Sequence, residues 1–479
     1  MARLGIFVAI ACSLLCNLAS AQDKPDSPTP KSELHPDVAR LIDTWLDAEQ
    51  AYKKLPSMVV GVVKGDAIVF SKGYGRVDGK GGPPATPDTI YSICSISKLF
   101  TSIALMQLVE QAKVGLDDDI VKYLPEFTLK QADESSGPVT LRGILMHAAG
   151  LPRETINDTW TGPEYPFPTR AEMLAGLARQ QMYDRTLNRN QYSNLGITLL
   201  GEVVARVSGQ PYERYVTDRV IKPLGLERTF PSINDELRGT EMAVGFSSQK
   251  RDGSRDEMPR FDVRGAQAAA GFSSTVNDLS KFARWQLRLL RTGKADVLRG
   301  ATLREMTRIQ WTDPDGKTTW GLGYNVSRSG NDLVVGHGGR CPGYRTLLTT
   351  LPQKDLGAVV ALGSGDDPGL PARRALELVQ KTPTPATDKA AALGDYTGRY
   401  EPKVGAAELS VQPWGSDLVM LPLPTDNPGE AMEVWRHVGG DRFRLVRQDK
   451  TLGMEATFLR DASGKVTSMR IWGSVRYKQ

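Results

Sequence analysis

Thr89-Ile90-Tyr91-Ser92-Ile93-Cys94-Ser95-Ile96-Ser97-Lys98-Leu99-Phe100-Thr101-Ser102-Ile103-Ala104-Leu105-Met106-Gln107-Leu108-Val109 passes from a β-branched and aromatic run into one that is apolar nearly all round. The first part reads as a strand and the second as a buried helix. Ser95 then stands at a helix N-terminus, where free backbone N–H groups and the helix dipole favour negative charge. Lys98 lies one turn along, on the same face. Partial burial lowers a lysine pKa, and a neutral amine can take the serine proton. The tetrad Ser95-Ile96-Ser97-Lys98 is S-x-x-K, a pattern that arises by chance about once or twice in a chain of this length. Ser247-Ser248-Gln249-Lys250 also matches, but it opens the polar stretch Arg251-Asp252-Gly253-Ser254-Arg255-Asp256, where nothing would bury or orient a nucleophile. An isolated match is more often an N-cap serine beside a surface lysine.

Upstream of this stretch, Val38, Leu41, Ile42, Trp45 and Leu46 repeat at helical spacing from Pro36. Met58 to Val63 and Ala67 to Phe70, joined by Lys64-Gly65-Asp66, read as an antiparallel hairpin. Downstream, Leu333 to Val335, Tyr344 to Leu351 and Leu356 to Leu362 supply three more strands. The economical assembly is α/β: one antiparallel five-stranded sheet built from both ends of the domain, flanked by helices, with an inserted helical lobe and a site between the two. Residues 36–380 form this domain, and the Pro/Thr-rich stretch 381–390 is a linker by composition. Residues 391–479 carry short strand-like runs (Leu418 to Leu421, Val434 to Val438, Phe443 to Val446, Ala456 to Leu459, Ser468 to Trp472), which predict a small all-β C-terminal barrel or sandwich.

Arg3, the apolar run Leu4 to Ala11 and its continuation to Leu18, and Ala19-Ser20-Ala21 predict a cleavable signal segment over residues 1–21, hence export to the periplasm or beyond. A membrane anchor is the alternative, for which the run is short. Residues 22–35 read as a polar, Pro-rich lead-in. No later stretch is apolar enough to cross a bilayer. The formal net charge of +5 argues for neither nucleic acid nor an anionic membrane surface as a partner. The expected partner is a small-molecule or peptide substrate. Of the four cysteines, Cys12 and Cys16 lie in the signal segment, leaving Cys94 and Cys341 in a compartment where a disulfide persists.

Two further elements carry chemistry. Tyr192-Ser193-Asn194 is the one Y-x-N in the chain and precedes the apolar run Ile197 to Val207. A tyrosine beside a lysine ammonium has its phenol pKa lowered toward proton-transfer duty. Asn194 offers an amide to hold both the lysine and a substrate carbonyl. His337-Gly338-Gly339-Arg340 follows the β run at 333–335, and glycines on an edge strand permit close approach of a substrate chain. The N–H groups of Ser95 and Arg340 are candidates for an oxyanion hole. Taken singly, the first is more often a loop tyrosine beside a helix cap and the second a turn.

Together, S-x-x-K, Y-x-N about one hundred residues on and H-G-G on a late strand resemble the penicillin-recognising serine hydrolases: class C β-lactamases, DD-peptidases, D-aminopeptidases and related esterases. Ile144 to Pro152, Ala270 to Ser274 with Asp278-Leu279, and Trp320 to Tyr324 look like the same family. The resemblance implies a Ser95 nucleophile, Lys98 and Tyr192 as general base and acid, Asn194 as a substrate-positioning residue, and substrate contacts from His337, Gly338 and Gly339. It implies no metal and no organic cofactor. Many β-lactamases place lysine, threonine and glycine at the third motif to bind a carboxylate; a largely neutral His337 and Gly338 without a hydroxyl put tight β-lactam capture in doubt. His147 reads as scaffold. The resemblance to class A carbapenemases, which join similarly placed positions, implies a Cys94–Cys341 disulfide; the alternative is two buried free thiols. A D-amino-acid peptide or amide, an ester and a β-lactam all suit this machinery, and a penicillin-binding sensor that acylates without turnover is the rival.

Overall fold

Strand β1 (Ser57–Lys64) is buried on both faces, and its alternation divides the molecule. Val59 and Val63 point into one core, while Met58, Val60 and Val62 point into a second. The computed structural model describes residues 33–154, 159–385, 393–405 and 408–479. The expected signal segment, most of the lead-in and residues 386–390 of the expected linker lie outside the described residues.

β1 pairs with β2 (Ala67–Gly75) in the early hairpin and with a late strand on its other side. In chain order the next strands are β3 (Ile90–Ser92), β4 (Ser273–Thr275), β5 (Trp311–Thr312), β6 (Thr319–Trp320), β7 (Asn325–Ser329), β8 (Asp332–Cys341), β9 (Tyr344–Leu351) and β10 (Leu356–Leu362). The main sheet is antiparallel with order β2-β1-β10-β9-β8-β7-β6-β5, so it has eight strands where the sequence predicts five. The three additional strands leave no signal in the sequence, for a physical reason. β5 and β6 are two residues each, and β7 buries only Val326, so none shows an apolar alternation. β3 and β4 pair with each other in a small separate ribbon.

Helices cover both faces. Ser97–Glu110 and Val276–Thr292 belong to the core that includes Val59, whereas Pro36–Tyr52 and Gly369–Leu378 pack on the opposite face. Between β3 and β4 the chain builds the helical lobe, with Asn194–Ser208 as its longest helix. No helix among the described residues is long and apolar enough to cross a membrane.

The C-terminal strands β11 (Gly398–Glu401), β12 (Glu408–Trp414), β13 (Asp417–Leu423), β14 (Glu433–Gly439), β15 (Arg442–Val446), β16 (Leu452–Arg460), β17 (Val466–Ile471) and β18 (Ser474–Lys478) close an eight-stranded barrel. Its interior holds Tyr400, Trp435, Phe443 and Phe458. Trp414, Val419, Leu421 and Leu423 instead turn outward and share a core with Trp45 and Leu46 of the first helix. Trp45 Nε1 donates to Thr425 O at 2.8 Å, and Gln412 Nε2 to Thr44 Oγ1 at 2.6 Å. The barrel therefore docks on the Pro36–Tyr52 face, away from the lobe.

Candidate active site

The turn that delivers Ser95 is built by its neighbours. Cys94 adopts a left-handed φ of 50°, a conformation that costs a residue with a Cβ about 1 kcal/mol or more. Ser97 Oγ donates to Cys94 O at 2.5 Å and receives the Phe272 N–H at 3.1 Å, pinning the turn from inside. Cys94 is bonded to Cys341 at the end of β8, and Thr346 Oγ1 on β9 donates to Ile93 O at 3.1 Å. The Ser95 segment is thus tied to two sheet strands. Gly339 makes the approach feasible, because a Cβ there would stand 2.2 Å from Ile93 O and from Thr346 Oγ1. Gly338 is different: a Cβ would meet nothing closer than Thr346 O at 3.7 Å.

Lys98 is 1 % exposed. Its Nζ lies 3.1 Å from Ser95 Oγ and donates to Asn194 Oδ1 at 2.7 Å and Ala269 O at 2.8 Å. Burial holds its pKa well below the usual lysine range, with Arg153 adding to that effect and Glu154 opposing it. Tyr192 faces the same amine, whose Nζ sits 4.9 Å from the ring centroid. Here the expectation of a lowered phenol pKa is reversed. Burial pushes the Tyr192 hydroxyl upward, offset in part by its interaction with Ser95, so burial favours the neutral form of both groups.

His337 on β8 is buried, and its Nδ1 lies 2.7 Å from Gly338 O. A carbonyl only accepts, so Nδ1 carries the hydrogen and Nε2 is left as a bare acceptor with no partner. Burial, reinforced by Lys98, pushes its pKa down to about 3. His147 has the opposite tautomer: Nδ1 receives the Ser193 N–H at 3.2 Å, leaving Nε2–H as a buried donor without a partner. Its ring packs behind Tyr192 with centroids 4.3 Å apart, and edge-on to Trp320 at 4.7 Å.

A cleft of about 400 Å³ opens over these groups. Ser95, Tyr192, His337, Gly338, Gly339 and Arg340 line it, together with Arg153, Arg345 and Asp367, while Lys98 and Asn194 are buried. No described barrel residue lines it. Among the described residues no cluster of His, Cys, Asp or Glu has the arrangement to hold a metal.

Residues 42–381 match the family profile described as Beta-lactamase, most of the chain. The chain belongs to the Beta-lactamase family. Among curated members, it is 26% identical over 375 residues to the D-alanyl-D-alanine-carboxypeptidase/endopeptidase AmpH of Escherichia coli, covering 76% of this chain and 91% of that one. It is 27% identical over 312 residues to Beta-lactamase-like protein 2 of Dictyostelium discoideum, covering 63% of this chain but only 55% of that protein's length. Among solved structures, the octameric penicillin-binding protein homologue from Pyrococcus abyssi superposes with a TM-score of 0.62 at 25% identity, over 92% of this chain and all of the other. The fold is the β-lactamase/transpeptidase-like α/β fold with a C-terminal barrel, and the protein is a hydrolase of this Beta-lactamase family.

Sequence reasoning did not find Glu154, Trp160, Ser97 or Arg345. Glu154 Oε1 receives Asn194 Nδ2 at 2.5 Å and Trp160 Nε1 at 2.8 Å. It follows the family-like run Ile144 to Pro152 by two positions, the one signal that pointed to it.

Proposed function

We propose that this Beta-lactamase family member is an exported peptidase or amidase working through a Ser95 acyl-enzyme, its substrate a short peptide ending in D-residues with a free carboxylate. The observation that carries the reading is the contact set of Lys98: an amine pushed toward neutrality, 3.1 Å from Ser95 Oγ, with two acceptors on its other sides. Lys98 takes the Ser95 proton as Oγ attacks the carbonyl carbon. The oxyanion is received by the N–H groups of Ser95 and Arg340, whose neighbours Cys94 and Cys341 are bonded to one another. As the carbonyl–nitrogen bond breaks, the proton taken up by Lys98 passes through the Tyr192 hydroxyl to the leaving amine, and water, giving up a proton along the same path, then releases the acyl group from Ser95.

Two features support a carboxylate-bearing peptide, and the first of them favours it over a β-lactam. The bare Nε2 of His337 accepts a substrate N–H, and burial disfavours a positive charge on the ring. Cation for a carboxylate comes instead from Arg340 and Arg345, which stand directly opposite one another on β8 and β9, with the buried Nε of Arg345 unpartnered. Like charges so placed repel unless an anion joins them. The name of the Escherichia coli relative, a D-alanyl-D-alanine-carboxypeptidase/endopeptidase, agrees with this direction.

The test is turnover of an N-acylated D-alanyl-D-alanine, its C-terminal amide, D-alanyl p-nitroanilide, a p-nitrophenyl ester and nitrocefin by the purified protein and its Ser95→Ala variant. The carboxylate peptide should be cleaved fastest, and all activity should vanish in the variant. A stable adduct without product would make the protein a sensor, and nitrocefin as best substrate would overturn the substrate class.

A further inference from the structure

Glu154 touches none of the reacting atoms, yet it governs which way round Asn194 sits. Its Oε1 receives two N–H groups, from Trp160 and from Asn194. An indole nitrogen only donates, so Oε1 is an acceptor whatever the charge on the carboxyl, and the Asn194 atom facing it is the NH2. The other end of the amide, Oδ1, is thereby turned onto Lys98 Nζ. Trp160 is fixed in its turn, edge-on to Phe167 with centroids 4.7 Å apart.

A neutral amine has two N–H bonds and one lone pair. Of the three neighbours of Lys98 Nζ, Asn194 Oδ1 and Ala269 O only accept, so they consume both N–H groups and the lone pair is left for the Ser95 hydroxyl proton. Were the Asn194 amide reversed, its NH2 would occupy that lone pair and Ser95 would lose its acceptor. We infer that Glu154, held by Trp160, is a positioning residue that fixes the Asn194 amide and so reserves the lone pair of Lys98 for the Ser95 proton. The inference rests on Ser95 as nucleophile and Lys98 as its base.

The groups facing Lys98 set the sign of the pH effect. Ser95 comes from its own turn, His147, Arg153 and Glu154 from the segment after Leu145, Tyr192 and Asn194 from the approach to and first residue of the Asn194–Ser208 helix, and His337 from β8. Glu154 is the group that favours the charged amine, against burial and Arg153. Removing its charge while keeping its shape therefore lowers the Lys98 pKa further, and a rate that needs neutral Lys98 persists to lower pH.

The probe is a fluorophosphonate, which needs no knowledge of the substrate: the Ser95 Oγ–P bond forms, the P–F bond breaks, fluoride leaves, and the serine proton passes to Lys98. Second-order labelling rates of the full chain are measured from pH 5 to 10 for wild type, E154Q, E154A and S95A. E154A should lose about ten-fold or more of the plateau rate. E154Q retains an acceptor for Trp160 and Asn194; it should recover most of that loss and move the acid limb down by about half a pH unit or more. An E154A plateau equal to wild type, or an E154Q limb that stays or rises, overturns the role of Glu154, and the E154Q limb alone decides if E154A does not fold. Labelling that persists in S95A overturns instead the reading beneath it.

Discussion

The chain contains two Ser-x-x-Lys tetrads, and their surroundings drive the two lysines in opposite directions. Lys98 is buried, one helical turn from Ser95, and loses affinity for its proton. Lys250 is exposed and pairs with Asp256 at 2.6 Å, which pushes its pKa up. Ser95 heads a buried helix. Ser247 to Lys250 is irregular, and the Ser247 hydroxyl is spent on Ser248 O at 2.9 Å. Identical side chains at identical spacing thus give a candidate base in one place and a solvated cation in the other. The chemistry belongs to burial and to the acceptors around the amine, not to the four letters.

The largest test of that contrast is paired serine replacement. Ser95→Ala should lower turnover of any substrate the protein cleaves by about a thousand-fold or more, whereas Ser247→Ala should stay within about two-fold. Comparable losses would erase the distinction. The lysines sharpen it: Lys98→Ala removes the proposed proton acceptor and should cost about a hundred-fold or more in kcat, with Lys250→Ala again near wild type. For wild type, kcat/KM should rise with pH as Lys98 gives up its proton; a profile falling with pH across the same range would point to an acid there instead.

Around Lys98 the neighbouring bases are pushed the same way, which makes the first tetrad acid-sensitive and leaves the second indifferent. The His337 pKa lies at about 3, below the unfolded value of 6.5, so the unfolded chain binds more protons between those values. Stability is then full above about pH 6.5 and is lost as pH falls toward 3, by on the order of a few kcal/mol from this residue. Thermal denaturation of wild type and His337→Asn between pH 7 and 4 should show the wild-type Tm falling more steeply. Parallel curves would mean that His337 is more solvated than its burial implies.

Much of this site was legible in the sequence because its parts fall on elements with strong local signals. Ser95 and Lys98 open an apolar helix, Tyr192 and Asn194 precede another, and His337 to Arg340 sit on a strand next to glycines. Three-dimensional convergence turned those fragments into one cleft. What could not be read lay in groups whose role depends on neighbours far along the chain. Glu154 and Trp160 form no pattern with Asn194, forty and thirty-four positions away. The Tyr192 shift runs upward because the burial that disfavours charge on Lys98 also disfavours the phenolate, and burial is not written in the spacing of the two residues. Strands β5 to β7 were missed because they are too short or too exposed to alternate, and their pairing is imposed by β8.

The subtlest contrast lies within the third motif, where adjacent glycines differ in what they tolerate. Gly339 is compelled: a methyl there meets backbone and side-chain oxygens at 2.2 Å, so either the Ile93–Cys94 turn or β9 must shift, and with it the N–H of Ser95. Gly339→Ala should therefore cost about ten-fold or more in activity, out of proportion to any loss of Tm, since displacement of about 1 Å at a reacting centre suffices for such a fall. Gly338 faces open space, exposed in the cleft, with 3.7 Å to the nearest atom a Cβ would meet. Gly338→Ala should fold as wild type and change kcat by less than about two-fold, while KM rises for bulky acyl groups that share that space. An equal loss of kcat from both substitutions would show that the strand as a whole, rather than the close contact at Gly339, sets the position of Ser95. The two glycines would then differ only in exposure, and the approach of β8 to the nucleophile turn would rest on the Cys94–Cys341 bond and the Thr346 hydroxyl.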